Sequence, residues 1–156
     1  VPNIIPRDKI QDFIGFDAGP TEWMEVDQWR IDAFAKCTMD ENFIHVNPEK
    51  AKKTRFGGTI AHGFLTLSLV HHFLEKLEFK IEGLKMAVNY GVNKVRFIYP
   101  VSCGSRVRMR IKILDILEKR PGQFLFTLRA TMDIEGEEKP AMVADWLILE
   151  FTDDIQ

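Results

Sequence analysis

Residues 59–79 read TIAHGFLTLSLVHHFLEKLEF, and this stretch decides the fold. Ile60, Phe64, Leu65, Leu67, Leu69, Val70, Phe73, Leu74 and Leu77 place apolar groups on nearly every side of a helix of about five turns. A helix apolar all round is a buried helix, so something must wrap it.

The sequence after Met86 supplies the wrapping, because there the apolar period falls to two. Arg106, Arg108, Arg110 and Lys112 alternate with Val107, Met109, Ile111 and Ile113, the pattern of a half-solvated strand. Phe124, Phe126, Leu128, Ala130, Met132 and Ile134 form a second such parity, and AMVADWLILEF a last strand. Pro121-Gly122 and Gly136 mark the turns between them. The expectation is an α+β architecture, a long antiparallel sheet curled around one buried helix, which is the shape of a hot-dog fold. Such domains usually dimerise sheet edge to sheet edge.

The N-terminal third reads as short helices and loops. RDKIQDFIG forms a short helix closed by Gly15, and TEWMEV has strand character. Asp27 is placed to cap DQWRIDAFAKCT, whose Trp29, Ile31, Phe34 and Ala35 recur at helical spacing. Asn47-Pro48 reopens a helix through PEKAKK.

Composition bounds the function. The 156 residues are expected to form one domain, spanning 1–156, with an ordinary soluble balance of 46% apolar and 28% charged residues. A net charge of −2 argues against nucleic acid as a partner. The longest apolar run, Ile60 to Val70, falls well short of the roughly 20 residues of a membrane span. No charged-then-apolar leader is visible in VPNIIPRDKI. Cys37 and Cys103 form no C-x-x-C, so a reduced, cytoplasmic protein is expected.

The chemistry concentrates just before the long helix. Asp40 and His45 lie five residues apart, and a carboxylate with a neutral imidazole can position a water and move its protons. On a continuous helix they would diverge by roughly 140°, so they converge only if the segment is a loop, which Asn42 and Asn47-Pro48 favour. The bland reading is a turn-capping Asp40 and an ordinary surface or core His45. Gly63 costs the helix about 1 kcal/mol relative to alanine. In the first turn that cost makes sense where a ligand approaches the backbone, or where a neighbour packs closely. Gly57-Gly58 reads as a flexible turn, and no phosphate-cradling frame surrounds it. His71 and His72 lack zinc-site spacing and are expected to pack in the core or an interface. Ser68, one turn past Gly63, can bond a backbone carbonyl or a catalytic group.

Asp40-x-Asn42, Ile44-His45, Ala51 and then Phe56-Gly57-x-x-Ile60-Ala61-His62-Gly63 resemble the signature of the MaoC-like (R)-specific enoyl-CoA hydratases. NYGVNKVRFIYPV followed by Gly104 resembles the same family's second strand, so the likeness runs from about Trp29 to Gly104. Phe43 departs from the proline common at that position and is similar to the branch that includes nodulation protein N.

The resemblance implies a hydro-lyase needing no metal and no redox cofactor, its substrate carrying coenzyme A or acyl-carrier phosphopantetheine. Asp40 and His45 would hold a water against the β-carbon of a trans-2-enoyl thioester, and the Gly63 N–H would stabilise the enolate-like oxygen. Asn42, Phe43, His62, Ser68, Lys94 and Arg96 are the further candidates for substrate contact. His62 is also a candidate for bonding across the loop. Lys94 and Arg96 share one strand parity and are candidates for pantetheine and phosphate contacts or an inter-subunit salt bridge, while residues 49–55 (EKAKKTR) are a solvated face or a phosphate contact. A homodimer is the expected assembly. Competing readings are a hot-dog thioesterase, disfavoured because the helix offers no acid before Glu75, and a non-catalytic acyl-thioester binding module.

Overall fold

The computed structural model describes residues 3–77 and 79–152; Val1, Pro2, Glu78 and residues 153–156, which touch the expected leader-free start and the end of the long helix, lie outside the described residues. The chain runs β1 (Asn3–Ile5), a 3-10 helix (Arg7–Phe13), β2 (Asp17–Ala18), β3 (Met24–Val26) and α1 (Gln28–Thr38). Three short helices follow, α2 (Phe43–Val46), α3 (Pro48–Ala51) and α4 (Gly63–Ser68), then α5 (Val70–Lys76). The rest is strand: β4 (Phe79–Ile81), β5 (Met86–Phe97), β6 (Ser105–Arg120), β7 (Gln123–Ile134) and β8 (Met142–Phe151).

Among the described residues the main sheet has the order β2-β6-β7-β8-β5, with β3 also on β6, and the β2–β6, β3–β6, β6–β7, β7–β8 and β5–β8 pairings are all antiparallel. The parities expected from sequence hold. Val107, Met109, Ile111 and Ile113 are buried with Phe124 to Ile134 and with Met142, Ala144, Trp146 and Ile148. A bulge between Ile113 and Asp115 shifts the parity of β6, so Ile116 rather than Asp115 turns inward. The opposite face carries cross-strand ion pairs, Arg110 with Asp133 at 2.8 Å and Arg129 with Asp145 at 2.9 Å. Exposed as they are, such pairs order the surface more than they stabilise it.

The helix differs from expectation in extent and in burial. It begins at Gly63 rather than Thr59, because Ile60 forms an antiparallel bridge with Ser102 and Ala61 N–H donates to Val101 O. It is interrupted at Leu69, whose backbone remains right-handed helical. Leu65, Thr66, Val70 and Phe73 face the sheet and are buried, whereas Phe64 is 66% exposed. Leu67, Leu69, Leu74 and Leu77 are half-buried against the core, so of the apolar residues of the helix Phe64 is the exposed one. His71 and His72 are exposed in the single chain, which corrects the core half of the core-or-interface expectation; His71 sits 3.6 Å from Glu75.

In the N-terminal third the helix after Asp27 forms as read, whereas the strand read over TEWMEV is confined to Met24–Val26, the helix read through PEKAKK ends at Ala51, and β1 and β2 were not read. Asp27 Oδ1 accepts from Arg30 N–H at 2.9 Å and caps α1, and Asn47 Oδ1 caps α3 through Lys50 N–H. Trp29, expected among the inward residues of α1, is 71% exposed. The buried face is Ile31 and Ala35, four apart, and Trp29 lies two residues earlier, about 200° round the helix.

Glu150, on the helix-facing side of β8, sets a carboxyl against the apolar core. Its Oε2 is buried and meets no hydrogen-bond partner among the described residues, and burial pushes the carboxyl up from 4.5 to about 7. The folded protein therefore holds this proton where the unfolded chain has released it. Stability should fall as pH rises from about 4.5 to about 7, by at most about 3 kcal/mol. Urea unfolding across that range checks this: Glu150→Leu is expected to flatten this slope and to raise the midpoint most on the alkaline side.

Candidate active site

α1 ends with Met39 in the left-handed conformation, φ 61°, which turns the chain so that Asp40 leaves the helix axis. Asn42 then caps the single turn of α2, its Oδ1 accepting from Ile44 N–H at 3.2 Å. The segment is thus a loop to Asn42 and one helical turn beyond it. His45 sits in that turn with its ring inward and is 8% exposed.

The His45 ring is held from two sides. Its Nδ1 lies 2.7 Å from the Ile60 carbonyl oxygen. A carbonyl only accepts, so Nδ1 carries the proton and Nε2 is left with its lone pair. The backbone around it is pinned as well: Ile60 N–H donates to Ile44 O, and Gln28 Nε2 donates to His45 O at 2.8 Å. Gln28 Oε1 in turn accepts from Thr59 Oγ1. Burial lowers the His45 pKa from 6.5; the Ile60 bond opposes this, nearby His62 adds to the lowering, and Asp40 opposes it. His45 is therefore a neutral imidazole with a free Nε2 at neutral pH.

His62, 3% exposed, packs against it. The two imidazoles stack with centroids 3.8 Å apart and planes 23° from parallel, and Phe34 lies on His62 at 4.9 Å. His62 Nε2 donates to the Asp40 carbonyl oxygen at 2.9 Å, tying the Asp40 loop to the start of α4 across 22 residues. This is the cross-loop bond that the sequence offered for His62. Nδ1 of His62 is buried and meets no partner among the described residues.

One carboxylate oxygen of Asp40 and one ring nitrogen from each of His45 and His62 lie within 4.8 Å of one another. A water bonded to two groups at ordinary hydrogen-bond lengths spans about 4.6 Å between them. The cluster is thus sized for a bridging water. A shared metal fits it poorly, since lone pairs lie in the ring planes and near-parallel stacked rings do not aim them at one point.

Gly63 opens α4, and the first N–H groups of a helix lack intrahelical acceptors. A Cβ at this position would lie 2.8 Å from Phe97 Cγ, so the glycine accommodates the Phe97 ring of its own chain. Gly63, Thr66, Phe97 and Tyr99 line a cleft of about 280 Å³ with Arg55 and Phe56 at its edge. Asp40 and His45 do not line this cleft, but Ile60, which does, is bonded through its carbonyl to His45 Nδ1. The other candidates sit apart. Phe43 is exposed, Ser68 Oγ donates to Phe64 O at 2.7 Å, and Lys94 and Arg96 border a hollow with Arg129 and Asp145. Gln28, Phe34, Phe97 and the Ile60 carbonyl were not read from sequence as parts of the site.

Residues 9–131 match the MaoC like domain family, and the chain belongs to it. It is 45% identical to nodulation protein N of Rhizobium leguminosarum bv. viciae over 87% of this chain and 85% of that protein. It is 40% identical to 3-hydroxyacyl-thioester dehydratase Z of Mycobacterium tuberculosis over 86% and 88% respectively. The solved (R)-hydratase from A. caviae involved in PHA biosynthesis superposes with a TM-score of 0.71, covering 86% of this chain and 94% of that one. At 24% identity that likeness shows the shared hot-dog fold.

Proposed function

We propose that the protein is an (R)-specific hydro-lyase that adds water to trans-2-enoyl thioesters, or removes it from (R)-3-hydroxyacyl thioesters. The observation that carries this reading is His45: its Nδ1 is committed to Ile60 O, which leaves Nε2 with its lone pair, and a ring nitrogen of His45 lies within 4.8 Å of an Asp40 carboxylate oxygen. Membership of a dehydratase family and 40% identity to a named 3-hydroxyacyl-thioester dehydratase support it.

In the hydration direction the Asp40–His45 pair takes one proton from the bridging water as its oxygen bonds to the β-carbon. The Cα–Cβ double bond shifts its electrons toward the thioester oxygen, where the Gly63 N–H would donate. The pair then returns a proton to the α-carbon, and the thioester carbonyl re-forms. Water's oxygen, one of its hydrogens and one returned proton are all accounted for, with no metal or redox cofactor in the scheme. A donor of this kind is typically worth about 3–4 kcal/mol in the transition state. Arg55, which lines the Gly63 cleft 5.1 Å from the Phe56 ring, would meet a phosphate of the carrier.

Thioester hydrolysis is the weaker reading. Thr66 and Ser68 occupy the first turns of the helix, and Glu75, the first acid, is exposed beside His71. We further propose a homodimer formed along β5. Its 12 residues pair with β8 on one edge, and Met86, Val88, Tyr90, Val92 and Phe97 are exposed. No helix among the described residues is long and apolar enough to cross a membrane, and the exposed unpaired Cys37 and Cys103 suit a reducing cytoplasm.

The test is product analysis. Incubation with a trans-2-enoyl-CoA should yield one water-addition product, 3-hydroxyacyl-CoA of R configuration; a free acid instead would identify a thioesterase. A second outcome concerns pH. Because the His45 pKa is lowered, the basic form persists below 6.5, so kcat/KM should stay level through 6.5 and fall only at lower pH. A profile already falling well above 6.5 would contradict a buried neutral base.

A further inference from the structure

The far end of the central helix carries a second cleft that the proposed reaction does not use. It lies between α5, β4 and the neighbouring ends of β5 and β8, roughly 16 Å along the helix from Gly63. Leu74, Leu84, Leu128 and Ile148 line it, and Glu150 is the acid set among them.

Its size and chemistry define what fits. The cavity is about 160 Å³. An apolar cavity of about 150 Å³ accepts a benzene-sized molecule, so the cleft suits a compact apolar group rather than a whole drug-sized ligand. Among its apolar lining stands Glu150, whose side chain makes no hydrogen bond among the described residues and whose Oε2 is shut off from solvent. A buried carboxyl left unmatched is costly, and a bound hydrogen-bonding atom removes that cost. The charged and titratable groups at the rim are His71 and Glu75 from α5 and Lys80 from β4, and none is within ion-pair distance of Glu150. His71 is turned to Glu75 at 3.6 Å.

We infer that this cleft is a binding site for a compact apolar group tipped with one neutral hydrogen-bonding atom, such as a hydroxyl, read by Glu150. Two sources carry that chemistry: the distal end of an acyl chain whose thioester lies at Gly63, which rests on the hydratase reading, and a separate small amphiphile, which does not. Purely hydrocarbon groups of the same size are disfavoured in both cases.

The probes are phenol and toluene, which share a shape and differ by the hydroxyl. Each is titrated into the full chain at a pH of about 6, where the Glu150 carboxyl is mostly protonated, and methyl chemical shifts of Leu74, Leu84 and Ile148 are followed. Phenol should bind roughly tenfold more tightly than toluene in the native protein. Glu150→Leu should reverse the order, and Glu150→Gln, which keeps a donor and an acceptor, should retain the preference for phenol. No saturable shift with either probe, or tighter binding of toluene by the native protein, overturns the inference. Kinetics separates the sources. Phenol raising KM for a long trans-2-enoyl-CoA with a terminal hydroxyl but not for a short one assigns the cleft to the acyl end; binding without effect on either assigns it to a separate amphiphile. Absence of turnover would remove the hydratase reading and leave the shift titration readable.

Discussion

Asp40→Asn should lower kcat for enoyl-thioester hydration by about 10²–10⁴, with little change in thermal midpoint. The Asp40 side chain is exposed, and its fold contact, with His62 Nε2, is made by the main-chain carbonyl. The asparagine amide can still bond the water but lacks the charge that helps draw off its proton, and the loop stays in place. His45→Ala should lose as much activity and some stability as well, since the Ile60 carbonyl loses its donor. Steady-state kinetics alongside thermal melts separates the two effects. An Asp40→Asn variant with native kcat would show that the carboxylate plays no part in moving the proton.

The second large effect is expected at Gly63. Gly63→Ala places a methyl 2.8 Å from Phe97 Cγ, and a clash of that kind costs about 1–3 kcal/mol where neighbours cannot shift. Phe97 is partly exposed, so its ring has some room to move, which argues for the lower half of that range. Phe97→Ala should relieve the clash, and in that background Gly63→Ala should be neutral or stabilise by up to about 1 kcal/mol, alanine being the better helix former. Turnover should stay depressed in the double variant, because the added methyl still stands where the thioester oxygen must approach the backbone N–H. Recovery of both stability and turnover would show that the glycine serves packing alone.

These two positions also show what was legible in the chain. Strand parities are local and repeat every second residue, so β6, β7 and β8 could be read directly, and Asp27 and Asn47 announce their helices through side chains of the capping type. The pairing of Asp40 with His45 was readable only as a possibility of the loop, since it depends on Met39 ending α1 and Asn42 starting the turn that carries His45. What fixes the His45 tautomer is the Ile60 carbonyl, a main-chain group that leaves no mark on residue identity. Gln28, 17 residues from the His45 carbonyl it holds, has no periodic signature either.

The helix misled for a related reason. Apolar residues on every side reveal that every side is to be covered, but not by what. One chain's sheet covers Leu65, Val70 and Phe73, while Phe64 remains exposed beside Phe97, 5.7 Å from ring to ring. Together with the open edge of β5, this is the surface that the proposed second copy would cover. His71 and His72, expected in the core or an interface, are exposed in the single chain. Trp29 repeats the lesson on α1, where helical spacing alone did not distinguish the inward row from the outward one.

The central claim is that Asp40 and His45 hold and deprotonate a water against an enoyl thioester. Loss of the conjugated enoyl absorbance of trans-2-enoyl-CoA substrates, followed over a series of chain lengths, tests it most directly. The native protein should discharge that absorbance with at least one chain length, and Asp40→Asn and His45→Ala should each all but abolish the reaction. No loss with any chain length, or undiminished loss in both variants, would contradict it.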